Sequence, residues 1–291
     1  MPEWTAIFDA LRAAGVKPDA ACEPRPVAGG DISAAWRIDT GDTPVFLKTG
    51  PATSWDMFSA EAEGLAELAT ADAVRVPALL AAGQHADTAY IALEWLDLGR
   101  SSGAADRRLG EQLAAMHRVT RDQHGWHRDN TIGLTPQRND WADDWVDFFR
   151  DRRLGFQLRL AARNGYAGRL QESGARLAKR LPFFFTGYRP AASLLHGDLW
   201  AGNWAVSDGE PVIFDPAVYF GDRETDLAMT KLFGGFGREF YEAYASSWPL
   251  DPGHEARCDL YQLYHVLNHL NLFGSAYLGR AEQLMQRLLR E

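Results

Sequence analysis

The sequence predicts an α+β chain of two lobes: a small β-rich lobe over residues 1–97 and a larger, mainly helical lobe over residues 98–291. Three observations predict it. Short runs rich in aliphatic and aromatic residues, bounded by Gly, Asp or Pro, cluster before residue 98. Apolar residues at helical spacing dominate after it. Between them, LDLGRSSG (96–103) reads as a hinge. With 291 residues and 46% hydrophobic content, the chain is long enough to bury two lobes.

The elements follow in order. MPEWTAIFDALRAAG opens with acids and a helical pattern, unlike the basic start and apolar stretch of a signal peptide. AAWRID (34–39), PVFLKT (44–49) and AYIALEW (89–95) read as strands. Phe58, Ala62, Leu65 and Ala69 mark a helix between the last two. In the second lobe Leu109, Leu113 and Met116 form one stripe. Trp141, Trp145, Phe148 and Phe149 begin another, which should stop near Asn164-Gly165. Leu170, Leu177 and Leu181 form a third, ended by Pro182. The stretches 224–234, 236–246, 255–273 and 276–290 read as helices, and only 193–195 and 212–214 as strands.

A net charge of −9 argues against broad nucleic-acid binding. It leaves room for a phosphate ligand whose charge a divalent cation neutralises. No run of eighteen apolar residues is present, so no membrane span is expected. Two cysteines, Cys22 and Cys258, cannot build a disulfide framework and fit a reducing cytoplasm.

The chemistry concentrates in SLLHGDLWAGNWAV (193–206) and VIFDPAVYFGDRETDLAM (212–229). Gly197 and Gly202 bracket a tight loop able to point Asp198 and Asn203 into one space, and the run 212–214 ends at Asp215. D-x-x-x-x-N followed by an Asp at a strand end is the spacing of kinase catalytic loops. Asp198 is expected to orient an acceptor hydroxyl and take its proton, with Asn203 and Asp215 as oxygen ligands for Mg²⁺. No Arg follows His196, and Pro216 stands where D-F-G has Phe. Small-molecule kinases of the aminoglycoside and choline type tolerate both departures. ATP needs a strand lysine and a helical glutamate, which Lys48 and Glu61 supply, Glu63 being the weaker candidate. Gly29, Gly30 and Ser33 form a turn able to approach phosphates. Backbone groups at Glu94, Trp95 and Leu96 are placed to meet the adenine edge. The same set argues against a catalytically silent ATP-binding module.

Other residues have plainer readings. His196 reads as a structural hydrogen-bonding residue. Asp226 reads as a loop brace with Arg223 as its ion-pair partner. His265 and His269 stand four apart on a helix but lack the intervening Glu of a zinc pair, and read as packing or surface residues. Trp126, His127 and Asn130 belong by default to a packed loop, although they could line an acceptor pocket.

The chain resembles the fructosamine kinases (ketosamine-3-kinases), a branch of the aminoglycoside phosphotransferase-like kinases. The resemblance rests on GGDIS (29–33), FLKT (46–49), FSAEAEGL (58–65), HRDNTIGLTPQRNDWADDWVDFFRDRRLGFQL (127–158), LLHGDLWAGN (194–203), IFDPAVYFGDRETDLAM (213–229) and YHVLNHLNLFG (264–274). It implies a two-lobed protein-kinase-like fold and ATP-dependent phosphorylation of O3 of a ketosamine. That phosphate loosens the sugar–amine bond, which makes the family a deglycation system. It implies the same roles for Asp198, Asn203, Asp215, Lys48 and Glu61, and places Trp200 and His269 beside the sugar. The amine partner would be a free metabolite or a protein lysine. An aminoglycoside- or choline-type acceptor is the rival. Many members carry Cys where this chain has Asp31, so redox-controlled dimerisation through that turn is not expected.

Overall fold

The structure is a computed structural model and describes residues 4–19, 22–27, 33–41 and 43–291. The glycine turn of Gly29 and Gly30, with Asp31, lies outside the described residues.

The first lobe is built on an antiparallel five-stranded sheet in the order β1-β2-β3-β5-β4. Its strands are β1 (Arg25–Pro26), β2 (Ala34–Ile38), β3 (Val45–Pro51), β4 (Leu79–His85) and β5 (Thr88–Glu94). Helix α1 (Trp4–Ala13) covers one face, where Ile7 and Leu11 pack with Val45, Leu47, Tyr90 and Ala92. Helix α2 (Trp55–Ala69) covers the other, where Phe58, Ala62 and Leu65 pack with Ala89, Ile91 and Leu93. Successive strand residues face opposite sides, so Val45 and Leu47 look toward α1 and Lys48 toward α2. Strand β4 was not expected. Its LLAAGQH has neither β-branched residues nor alternation, and it is placed by pairing with the fully buried β5.

The second lobe begins at α3 (Gly103–His117), whose start is capped by hinge residue Ser102 accepting from Ala105 N at 3.3 Å. Strand β6 (Thr120–Arg121) and the hairpin β7 (Asn130–Ile132) and β8 (Thr135–Gln137) follow. The helix expected from Trp141 starts instead at α4 (Trp145–Phe148). Asp144 caps it by accepting from Asp147 N, and Trp141 stays partly exposed. A wide turn over 149–154 joins α4 to α5 (Gly155–Arg163), which stops at Asn164 and a left-handed Gly165. Helix α6 (Arg169–Arg180) ends in a tighter turn carrying Pro182. Strands β9 (Ala192–Leu195), β10 (Trp204–Ser207), β11 (Glu210–Ile213) and β12 (Tyr219–Gly221) flank the loop 196–203 and the segment from Phe214 to Val218. The β10–β11 hairpin turns through Asp208-Gly209, both at positive φ, as a two-residue hairpin requires. Helices α7 (Glu224–Leu232), α8 (Arg238–Ser247), α9 (His254–Phe273) and α10 (Leu278–Leu288) complete one continuous core around the buried Leu260, Leu263, Val266, Leu267 and Leu270.

Among the described residues, backbone bridges tie the hinge and the small lobe to the β10–β11 hairpin. Gly99 N in the hinge donates to Val206 O at 2.7 Å, and Ile213 N donates to Arg75 O at 3.0 Å. Among the described residues no helix is long and apolar enough to cross a membrane. Cys22 and Cys258 are free.

Candidate active site

The loop between β9 and β10 is fixed from behind. Asp226, buried at the start of α7, accepts from His196 N and Gly197 N, both at 2.8 Å. His117 Nε2 also donates to it at 3.1 Å, while His117 Nδ1 accepts from the Tyr244 hydroxyl at 2.8 Å. Burial works against the Asp226 charge, but these donors, His117 first, hold its carboxyl below the ordinary range. Burial keeps His117 and His196 neutral by lowering both. His196 then donates from Nε2 to Phe214 O at 3.0 Å and accepts from Asp198 N at Nδ1. Gly197 sits at φ +83°, and a side chain there would meet Ala217 O at 2.1 Å. Arg223 does not pair with Asp226. It reaches Tyr244 and the carbonyls of Trp248 and Pro249 instead.

On this base Asp198 and Asn203 come together. Asn203 Nδ2 donates to Asp198 O at 2.9 Å and stands 3.5 Å from Asp198 Oδ2, and its Oδ1 remains an acceptor. Burial pushes the Asp198 carboxyl up to about 7, the charges of Asp215 and Asp226 adding to the effect and Asn203 opposing it. Asp215 follows β11 at φ +56°, a left-handed conformation uncommon outside Gly, Asn and Asp.

From the other lobe, Lys48 Nζ lies 2.7 Å from Glu61 Oε1 and 2.6 Å from Asp215 Oδ1. Burial disfavours its ammonium, but Glu61 and Asp215 outweigh this and hold Lys48 above the ordinary lysine value. Burial pushes Glu61 up while Lys48 pulls it down. Asn203 Oδ1, buried, and the outer oxygen of Asp215, open to solvent, are hard oxygen donors. They fit a Mg²⁺ ion that takes its remaining ligands from phosphate and water.

The model of the family "Fructosamine kinase" matches residues 3–291. The chain belongs to the fructosamine kinase family. A probable ketoamine kinase from Synechocystis sp. is 44% identical over 289 residues, 99% of this chain and 97% of its own. A chloroplastic protein-ribulosamine 3-kinase from Arabidopsis thaliana is 41% identical over 268 residues, 91% of this chain and 82% of its own. The crystal structure of a putative fructosamine-3-kinase from Haemophilus somnus superposes with a TM-score of 0.90 at 28% identity, covering 98% of this chain and 97% of that one.

The remaining residues of this fructosamine kinase family member fall into three places. At the hinge, Glu94 is committed. Its carboxylate binds Arg75 Nη2 at 2.6 Å and accepts from Ala78 N, and its own amide donates to Ala78 O. Arg37 lies over the Trp95 ring at 4.7 Å, and Leu96 is half-buried beside it. Ser33 stands just before β2. On the acceptor side the Trp200 ring folds over Gly202, where a side chain would strike it at 2.3 Å. Trp200 and His269 do not touch. Phe233 joins them, 6.5 Å from Trp200 and 4.9 Å from His269 between ring centres. His269 Nδ1 donates to His265 O, which leaves Nε2 as an acceptor. His265 is buried and its pKa is lowered to about 3, which suits packing rather than proton transfer. Trp126, His127 and Asn130 bond to α2 and to the segment after Asp215, as a packed loop does.

Phe233, His117 and Tyr244 were not singled out by the sequence. Phe233 carries no polar signal, and the His117–Tyr244–Asp226 set is brought together from α3, α8 and α7 only by packing. A surface cavity of about 470 Å³ bordered by Pro252, His254, Glu255 and Glu291 lies at the opposite end of α9, some fifteen residues or about 22 Å from His269. It takes no part in the site.

Proposed function

We propose that the protein transfers the γ-phosphoryl group of ATP to the O3 hydroxyl of a ketosamine, with Mg²⁺. One observation carries the reading: Asp198 Oδ2 stands 3.5 Å from Asn203 Nδ2, and Asp215 beside them is tied at 2.6 Å to the Lys48 that Glu61 holds, in surroundings whose burial pushes the Asp198 carboxyl up to about 7. A base poised near neutrality can accept a proton as the hydroxyl attacks. In this reading Lys48, fixed between Glu61 and Asp215, presents its ammonium to phosphate oxygens. Asp198 orients O3 and takes its proton as the new O–P bond forms and ADP departs. Bound Mg²⁺ at Asn203 and Asp215 supplies neutralisation of phosphate charge. Trp200 offers an aromatic face to the sugar C–H surface, and His269 Nε2 offers an acceptor to a sugar hydroxyl. With the Glu94 amide already used, the free backbone groups of Trp95 and Leu96 would meet the adenine edge. Placement and charge complementarity then supply most of the rate.

A panel of fructosamine, ribulosamine and erythrulosamine adducts, free and on protein lysine, assayed for ADP release beside kanamycin and choline, tests the reading. ADP release with ketosamines and a phosphate mapped to O3 is the expected result. Turnover with kanamycin or choline alone would overturn it.

A further inference from the structure

The segment HRDN (127–130) does no chemistry in the site above, yet it bonds in two directions. Toward the small lobe it grips α2. His127 Nε2 meets Glu63 Oε2 at 2.7 Å, Arg128 Nη1 meets Glu63 Oε1 at 2.5 Å, and Arg128 Nη2 donates to Asp56 O at 3.3 Å. Its neighbours Trp126 and Arg121 reach Glu67. Toward the large lobe it grips the chain that follows Asp215. Asn130 Nδ2 donates to Val218 O at 2.7 Å, Gln137 Nε2 donates to Ala217 O at 3.0 Å, and Gly125 exchanges backbone hydrogen bonds with Phe220. Glu63 and Glu67 are one turn apart, on the face of α2 opposite Glu61. Gly64 lies against Val218 and Pro216, where an added methyl would come within 3.2 Å of Val218. Leu68, at the end of α2, belongs to the large-lobe core.

Helix α2 is therefore held by the large lobe through its outer face while it offers Glu61 to the small-lobe sheet through its inner face. We propose that the strap 125–130, acting through Glu63, His127, Arg128 and Asn130, presets Glu61 and Asp215 as one rigid pair of carboxylates into which Lys48 fits. These are positioning residues. They touch neither nucleotide nor acceptor, and they set where the ammonium of Lys48 stands. The proposal rests on the reading of Lys48, Glu61 and Asp215 as the nucleotide site. Its mechanical content is that closure moves the sheet against a fixed α2, rather than moving the small lobe as a whole.

Exposed ion pairs contribute little to stability, so the Glu63 contacts are expected to act on geometry more than on folding. A displacement of about 1 Å in a reacting group can cost about 10²-fold in rate. Glu63→Gln and Arg128→Met are each expected to lower kcat/KM for MgATP about tenfold or more, part of that geometric penalty. The acceptor KM stays unchanged, and Tm stays within about 3 °C of the parent. The charge-swapped pair Glu63→Arg with Arg128→Glu should regain most of the loss. A loss below about twofold, within reach of an exposed ion pair alone, overturns the proposal. So does a loss that comes with a collapse of Tm, or one that the swap does not relieve. Lys48→Met separates the two levels. If it retains full turnover, the nucleotide-site reading fails. If it is inactive while the strap variants are silent, only the strap fails.

Discussion

In the small lobe Glu61 meets Lys48 across the gap between α2 and the sheet, and Lys48 is shared with Asp215 from the other lobe. In the large lobe Asp226 is buried and meets two backbone amides and an imidazole, each donor held by an element of the same core. In the proposed reading the first arrangement closes across the space that a nucleotide enters. The second never has to open. Its carboxylate is satisfied by several donors in a dry interior, where leaving any of them unpaired is costly. One lobe thus spends its charge on a ligand-dependent contact and the other on a permanent scaffold for Asp198.

That contrast can be broken or sharpened by four measurements. The largest effect is expected from Asp226→Ala, which strands His117 and two buried amides. Each buried donor left unpaired costs about 1–3 kcal/mol, so thermal melting should fall by roughly 10 °C. An unchanged Tm would erase the distinction between the lobes. Next comes Asp198→Asn, which keeps the loop and removes the proton acceptor. Turnover should drop by about 10² or more, with ATP affinity measured by titration nearly intact. Near-parental turnover would remove Asp198 from the chemistry.

The third measurement is the pH profile of kcat/KM for the acceptor. The raised pKa of Asp198 means that its carboxylate, the form able to take a proton, is lost as pH falls through about 7. A cation bound beside it lowers that value. The expected profile is an acid limb with an apparent pKa no higher than about 7, falling about tenfold per pH unit below it and absent in Asp198→Asn. A flat profile in the parent enzyme would place the base elsewhere. The smallest effect is expected from Glu61→Gln. Losing one charge-assisted hydrogen bond costs about 1.5–3 kcal/mol. Here the loss should appear as a KM for ATP raised about tenfold, with Tm nearly constant because Asp215 still pairs with Lys48. A large fall in Tm would mean that Glu61, too, is part of a scaffold.

The grouping of the expected site residues was largely legible because much of it is local. Asp198 and Asn203 sit in one loop of a few residues, and a strand ends at Asp215 close after it, so spacing alone brings them near. Lys48 was legible because β3 alternates, and Glu61 because the apolar stripe of α2 fixes which side of the helix faces the sheet. The short strands β1, β4, β6, β7, β8, β10 and β12 were not legible, since two to seven residues are too few to show a clear apolar period of their own. The helix start at Trp145 was decided by the Asp144 cap against the aromatic pattern that begins at Trp141.

By itself, then, the sequence determined two lobes, the loop and the identity of its acidic residues. Periodicity, turn residues and short spacings are encoded within a few positions of one another. Only the tertiary structure decided that Arg223 braces Tyr244 and not Asp226, that Phe233 bridges Trp200 and His269, and that α2 is gripped from behind at Glu63. Each of those contacts joins segments far apart in the chain, and packing of the whole core selects such partners where no local pattern can.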